Sequence, residues 1–205
     1  MPTIQLLPLL SYVLISSFTP GPSNISTSSL AVLFDFRRTL RYQAGLAVGV
    51  GLMMLAGGLV SASLLRWLPA IEPALRLAGA AYILYLAYGL LRTSYAAGGR
   101  RQAQPLGFKH GLLLNLSNIK LVVYAFTVFS TFLAPIASNA AVLLLAAALL
   151  AAVSACATTT WALFGAGIQS RLHNPRATRW LDAALALFLV YAAIDLSGLF
   201  SGVRF

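Results

Sequence analysis

The sequence predicts an all-α integral membrane protein with about six transmembrane helices in two inverted three-helix repeats, the first span broken at Pro20-Gly21-Pro22. Three observations carry that prediction. Of 205 residues, 60% are hydrophobic and only 9% charged, and the mean hydropathy is +0.85. No soluble globule of this size hides so much apolar surface, so much of it must face lipid. Charge is confined to clusters that separate six apolar runs, each long enough to cross about 30 Å of hydrocarbon. The halves also resemble each other.

The runs extend from Ile4 to Phe34, Tyr42 to Leu65, Ala74 to Tyr95, Gly111 to Leu133, Ala140 to Ile168 and Leu181 to Leu199. No Lys or Arg precedes the first, and its apolar stretch resumes after the break instead of ending at a small-residue cleavage site; it is therefore expected to be a retained span, not a signal peptide. Basic residues set the orientation. Loop one holds Arg37, Arg38 and Arg41; loop three holds Arg92, Arg100, Arg101 and Lys109; loop five holds Arg171, Arg176 and Arg179. Ten of the 14 basic residues thus lie in odd loops, which predicts those loops inside and both termini outside. In a soluble chain the net charge of +10 would suggest nucleic acid; here it reads as topology and no nucleic acid is expected.

The repeat is visible in Arg76-Leu-Ala-Gly-Ala-Ala-Tyr-Ile-Leu-Tyr-Leu-Ala-Tyr88, which aligns without gaps on Arg179-Trp-Leu-Asp-Ala-Ala-Leu-Ala-Leu-Phe-Leu-Val-Tyr191. Ser23-Asn24-Ile25 likewise recurs as Ser117-Asn118-Ile119. Repeats at about 1–97 and 108–201, with three spans each, enter the membrane from opposite sides within one transporter domain covering 1–205.

Span one contains Thr19-Pro20-Gly21-Pro22-Ser23-Asn24. Two prolines remove two backbone donors, so the helix must break, and broken backbone at mid-membrane is tolerated only inside protein or against a wet cavity. The second half-helix, capped by Ser23 or Asn24, offers an N-terminus to an anion such as a substrate carboxylate; the plainer alternative is a kink. Span four carries Asn115, Ser117, Asn118 and Lys120, the last being the only basic residue deep in a span. A central lysine costs about 2.5 to 3.5 kcal/mol and must face a partner. It either binds a carboxylate or carries a proton-linked charge, or else it ties helices together or snorkels. Asp182 and Asp195 in span six are candidate proton carriers; Asp182 equally suits a pair with Arg179, and Asp195 suits a hydrated helix end.

Gly45 and Gly49 stand at GxxxG spacing with Gly51, Gly57 and Gly58 beyond, which predicts close packing of span two. Ser154, Cys156, Thr158, Thr159 and Thr160 either line a path or satisfy their own helix. Cys156, the only cysteine, reads as a small packing residue. Tyr82, Tyr85 and Tyr88 read as packing and an interfacial anchor. His110 and His173 fall in predicted inner loops, no His and Cys cluster offers a metal site, and no nucleotide-binding glycine loop occurs, so no metal and no cofactor are expected. Nor does any set of groups gather at one depth as an enzyme would need.

Thr19 to Asn24, Gly45 with Gly49, Arg76 to Tyr88 and Asn118-Ile119-Lys120 together resemble the lysine exporter and homoserine/threonine resistance (LysE/RhtB) family of bacterial amino-acid exporters, over nearly the whole chain. Asn115 to Pro135, including Tyr124 and Ser130-Thr131-Phe132, and Leu189-Val-Tyr191 resemble most its cysteine and O-acetylserine exporter branch. The resemblance implies a small inner-membrane carrier, often dimeric, that expels amino acids using the proton gradient. It carries the Pro-Gly-Pro element onto Pro20, Gly21 and Pro22, and the span-four Asn and Lys onto Asn118 and Lys120. Two departures stand out. Ser23 precedes Asn24 where the family commonly has Asn directly after the second proline, and the common Asn-Pro-Lys is here Asn118-Ile119-Lys120, which leaves span four with less reason to break.

A small neutral amino acid is the expected substrate, since a cationic one would call for a central carboxylate and none is evident. Carbonyls freed by Pro20 and Pro22 would receive its ammonium. The alternatives are an exporter of basic amino acids, of another small solute or of a metal cation, and a membrane-embedded enzyme or accessory subunit.

Overall fold

The computed structural model describes residues 6–95, 106–133, 139–171 and 175–197, and among these every regular element is helical. In chain order they are α1 (Leu6–Phe18), α2 (Pro22–Phe34), α3 (Phe36–Tyr95), α4 (Phe108–Leu116), α5 (Ile119–Thr127), α6 (Ala140–Arg171) and α7 (Pro175–Ser197). A π-helical turn, Val128–Phe132, extends α5. By length and apolarity the segments Phe36–Leu59 and Ala140–Ile168 are each able to cross a membrane. The pair Phe108–Leu116 and Ile119–Phe132 passes the same test when taken together, across a bend of 62°. Leu6–Phe18, Leu77–Gly89 and Ala183–Ile194 are shorter apolar helices.

Predicted span one is α1 followed by α2, and its two halves have different surroundings. Leu7 and Ile15 of α1 are exposed, as lipid-facing residues should be, and Val13 alone of α1 is buried. In α2 every residue but Ser23 is buried, although Ser26, Thr27 and Ser29 are polar. Those hydroxyls donate to the carbonyls of Ser23 and Ile25 in their own helix, which removes the cost of burying them. One residue, Asp35, then joins α2 to α3. Its φ of 74° and ψ of 167° lie in a region costly for a side chain, and its carboxylate accepts from the Arg38 N–H to cap α3.

Predicted spans two and three lie in one helical run, α3. Along a straight helix Tyr42 and Tyr82 would be about 60 Å apart at 1.5 Å per residue. Yet the Tyr82 hydroxyl donates to the His110 carbonyl (2.8 Å), one residue from Gly111, where an added Cβ would meet the Tyr42 carbonyl oxygen. The run must therefore double back, and its two arms pack side by side around Tyr42, Leu46, Ile83 and Leu114. Pro69 and Pro73 fall between those arms, each withholding a backbone donor.

Glycine sets how closely the first arm of α3 meets α4 and α5. A Cβ on Gly45 would land on the Phe108 carbonyl oxygen, one on Gly49 within 2.7 Å of the Asn115 Cβ, and one on Gly57 within 3.2 Å of the Ala125 Cβ. Position rises along both partners together, so the helices run parallel. This brings the exposed Arg37, Arg38 and Arg41 at the start of α3 to the same end as the exposed Lys109 at the start of α4. Gly58 and Gly165 are equally tight, against the Leu143 side chain and the Ser28 carbonyl; Gly51 is not, with only Ala151 in reach at 4.0 Å.

Two smaller expectations change. Cys156 is exposed rather than packed, and His110 belongs to the first turn of α4 rather than to a loop. The side chains of Asp182, Asp195, Arg76 and Arg179, and all of His173, lie outside the described residues, so the proposed roles of both aspartates rest on sequence alone.

Candidate functional site

Both helix breaks meet at one place. In span one α1 ends at Phe18 and α2 begins at Pro22, with Gly21 in extended backbone (φ −160°) as the N-cap. No side chain caps α2, contrary to the expectation for Ser23 or Asn24. Asn24 turns the other way: its Nδ2 donates to the Ser17 carbonyl (2.8 Å) and to the Thr19 carbonyl (3.0 Å), two acceptors left by the break. Ser23 reaches across to span four.

Span four is broken even without the family's proline. Ser117 ends α4, Asn118 adopts extended backbone (φ −88°, ψ 101°), and its Oδ1 accepts from the Lys120 N–H (3.1 Å). An asparagine side chain that replaces a helical backbone partner is enough to start a new helix at a new angle. The sequence reading missed this because it assigned breaking power to proline alone.

A short chain of hydrogen bonds ties the two breaks to α3. Asn118 Nδ2 donates to Ser23 Oγ (3.3 Å), Ser23 Oγ donates to Asn115 Oδ1 (2.6 Å), and Asn115 Nδ2 donates to the Leu46 carbonyl (2.7 Å). Asn115 and Asn118 are buried. Inside a membrane each of these amides needs its partners, so the chain fixes three helices relative to one another.

Lys120, in the first turn of α5, lies over Gly21. Its Nζ donates to the Thr19 carbonyl (3.3 Å), and a Cβ on Gly21 would come within 3.2 Å of Nζ and 3.3 Å of Cδ. The expected partner for a membrane lysine is thus a carbonyl freed by the break, on the opposite half of the chain. Around it is a cavity of about 50 Å³ lined by Ser17, Ser23, Asn24, Asn115, Asn118 and Ser154 among others. On the other side of Lys120 opens a wider cleft of about 560 Å³ with Tyr12, Pro20, Ile119, Phe188 and Tyr191 in its walls. Ser16, Gly21, Pro22, Lys120 and Tyr124 border both. All eight residues singled out in spans one and four, Pro20 to Asn24 with Asn115, Asn118 and Lys120, border one cavity or the other.

The carbonyls expected to receive an ammonium are largely taken. Phe18, whose helical partner would have been Pro22, accepts instead from Trp161 Nε1 (3.1 Å), and Ser17 and Thr19 accept from Asn24 and Lys120. The Ser16 carbonyl is left: Pro20 has no N–H to give it, and none of the hydrogen bonds described at the break reaches it. In α6, Thr158 and Thr160 donate to their own helix, Thr159 donates to Gln43 Oε1 (3.2 Å), and Ser154 borders the small cavity. Sequence reasoning missed Trp161, Ser16 and Ser17, none of which carries a local signal, and reached Tyr124 only through the family resemblance. Among the described residues no three of His, Cys, Asp and Glu gather.

The contact between Gly21 and Lys120 yields a prediction. Extended backbone at Gly21 suits any residue, and the atoms a Cβ would meet are those of a flexible side chain. Gly21→Ala should therefore reach the membrane at the wild-type level yet push the Lys120 ammonium off the Thr19 carbonyl, cutting transport at least several-fold. Immunoblotting and flux on the same vesicles check both halves.

Comparison with known proteins adds the lineage. The pattern of the family described as LysE type translocator matches residues 14–198. A cysteine/O-acetylserine efflux protein of Klebsiella pneumoniae is 37% identical over 186 residues, covering 90% of this chain and 93% of the relative. Proteins of the same description in Salmonella choleraesuis (35%) and Escherichia coli (36%) align over 184 residues each, with 90% and 93% coverage. No solved structure matches the chain. With nine-tenths of its length matched, the chain belongs to the LysE type translocator family.

Proposed function

We propose that the protein is an inner-membrane secondary transporter that exports small neutral amino acids of the cysteine and O-acetylserine kind, driven by the proton gradient. The observation that carries this is the meeting of two helix breaks under one lysine. The N-termini of α2 and α5 both border the small cavity, and Lys120 adds a full charge. Helix N-termini and an ammonium in a low-dielectric setting favour an anion. A substrate carboxylate is that anion; the Ser16 carbonyl, unpaired by Pro20, is the acceptor left for its ammonium. The relatives' description as cysteine/O-acetylserine efflux proteins supports the substrate class.

The same reading makes the chain one domain of six spans in two inverted repeats. Three features support it: the aligned segments Arg76 to Tyr88 and Arg179 to Tyr191, a helix break within three residues of the matched Ser-Asn-Ile in each half, and the contact of one break with the other. The shared end of the Arg37 to Arg41 and Lys109 clusters supports odd loops inside, and hence termini outside. Asp182 and Asp195, with Lys120, are the candidate proton carriers, and the proposed assembly is a homodimer, which solution mass tests.

The test is flux. In vesicles loaded with labelled cysteine, O-acetylserine, threonine or lysine, an imposed proton gradient should drive efflux of the first two above the others. No gradient-dependent flux of any of them overturns the proposal.

A further inference from the structure

Resting on the export reading above, we infer that Tyr124, backed by Ser17, is the specificity-determining residue for the substrate's side chain and hydrogen-bonds a polar acceptor carried there, such as an ester carbonyl. Tyr124 is 6% exposed and borders the small cavity, and its hydroxyl and that of Ser17 are buried. The two lie near enough to interact, yet neither meets hydrogen-bond geometry with any described protein group. Five of the other polar side chains at the crossing, Asn24, Asn115, Asn118, Ser23 and Lys120, hold protein partners. A buried phenol kept without a partner beside committed amides is a donor held for something that arrives.

Position supplies the second argument. Tyr124 follows Lys120 by four residues on α5, so the two side chains share a face with Cβ atoms about 5–6 Å apart. The phenol ring is fixed by stacking on Tyr12, with centroids 5.8 Å apart. In O-acetylserine five bonds separate the carboxyl carbon from the ester carbonyl oxygen, and with the ester in its usual Z form the extended reach is about 5 Å from ordinary bond lengths. With its carboxylate at Lys120, the substrate would extend into the small cavity whose wall Tyr124 shares. Cysteine, with a shorter side chain and a weak acceptor sulfur, makes a poorer version of the same contact. An analogue with an apolar chain offers neither hydroxyl an acceptor and leaves them at most each other, which a site built to hydrogen-bond its ligand disfavours.

The experiment measures O-acetylserine transport into inside-out vesicles, with norleucine as the apolar competitor. Wild-type protein should prefer O-acetylserine over norleucine by about tenfold or more, the order expected when a buried donor is satisfied by one ligand and not by the other. Tyr124→Phe should bring that preference to within about threefold, with a smaller change in the preference for cysteine. Ser17→Ala leaves the aromatic stack untouched and should shift the same ratio in the same direction, so it decides the matter if Tyr124→Phe fails to accumulate. An unchanged ratio in these variants, or an equal loss on O-acetylserine and norleucine, overturns the assignment. A wild-type protein that moves no O-acetylserine would instead remove the export reading, and this assignment with it.

Discussion

Lys120→Ala should abolish export while the amount of protein in the membrane stays at the wild-type level. The lysine is half-buried at the junction of the two breaks, and its one described side-chain bond is to the Thr19 carbonyl, which Asn24 also serves. Losing the ammonium therefore leaves no carbonyl bare. It also removes a charge whose insertion costs about 2.5 to 3.5 kcal/mol, so the apolar variant has no penalty of its own in the membrane. What disappears is the only full positive charge among the described residues bordering the cavity, and with it the attraction for a carboxylate. Lys120→Arg keeps the charge but spreads it over a planar fork that must fit above Gly21, so partial flux is expected. Wild-type flux in Lys120→Ala would reduce the lysine to a strut between helices.

The second large effect falls on assembly. Gly45→Ala places a methyl on the Phe108 carbonyl oxygen, where backbone rather than a movable side chain stands in the way. Overpacking of this kind costs about 1–3 kcal/mol. Because a change of about 1–2 kcal/mol already alters cellular abundance several-fold, the membrane level of Gly45→Ala should drop several-fold, and that of Gly45→Val further. Gly89→Ala is the matched control. Nothing lies within 4 Å of a Cβ there, so the gain in helix propensity of up to about 1 kcal/mol should leave its level at or above wild type. Equal levels for Gly45→Ala and Gly89→Ala would contradict the close approach of α3 and α4.

The parts of the site legible in the sequence were those whose physics is local or costly. Two prolines around Gly21 cannot continue a helix, and a lysine at mid-span cannot be idle; both readings stand on the residue alone. GxxxG at Gly45 and Gly49 likewise pointed to close packing because the absence of a side chain is itself the signal. What escaped was anything defined by a partner far along the chain. Trp161 meets Phe18 across 143 positions and Ser23 meets Asn115 across 92, distances at which no periodicity operates. Asn24 was expected to cap the helix it begins, and instead it serves the carbonyls of the helix before it, a choice made by the geometry of the break. Tyr124 stood out only through the family resemblance, because only packing reveals that its hydroxyl is left over.

The central claim is that substrate binds where the two breaks cross, and cysteine protection tests it most directly. Ser154 borders the small cavity, and Cys156 is the only native cysteine. In protein carrying Cys156→Ser and Ser154→Cys, a small thiol reagent should react more slowly when O-acetylserine is present at saturating concentration, and adding Lys120→Ala should remove that protection. An unchanged labelling rate at saturating O-acetylserine, in vesicles that still transport it, would place the substrate elsewhere and contradict the account.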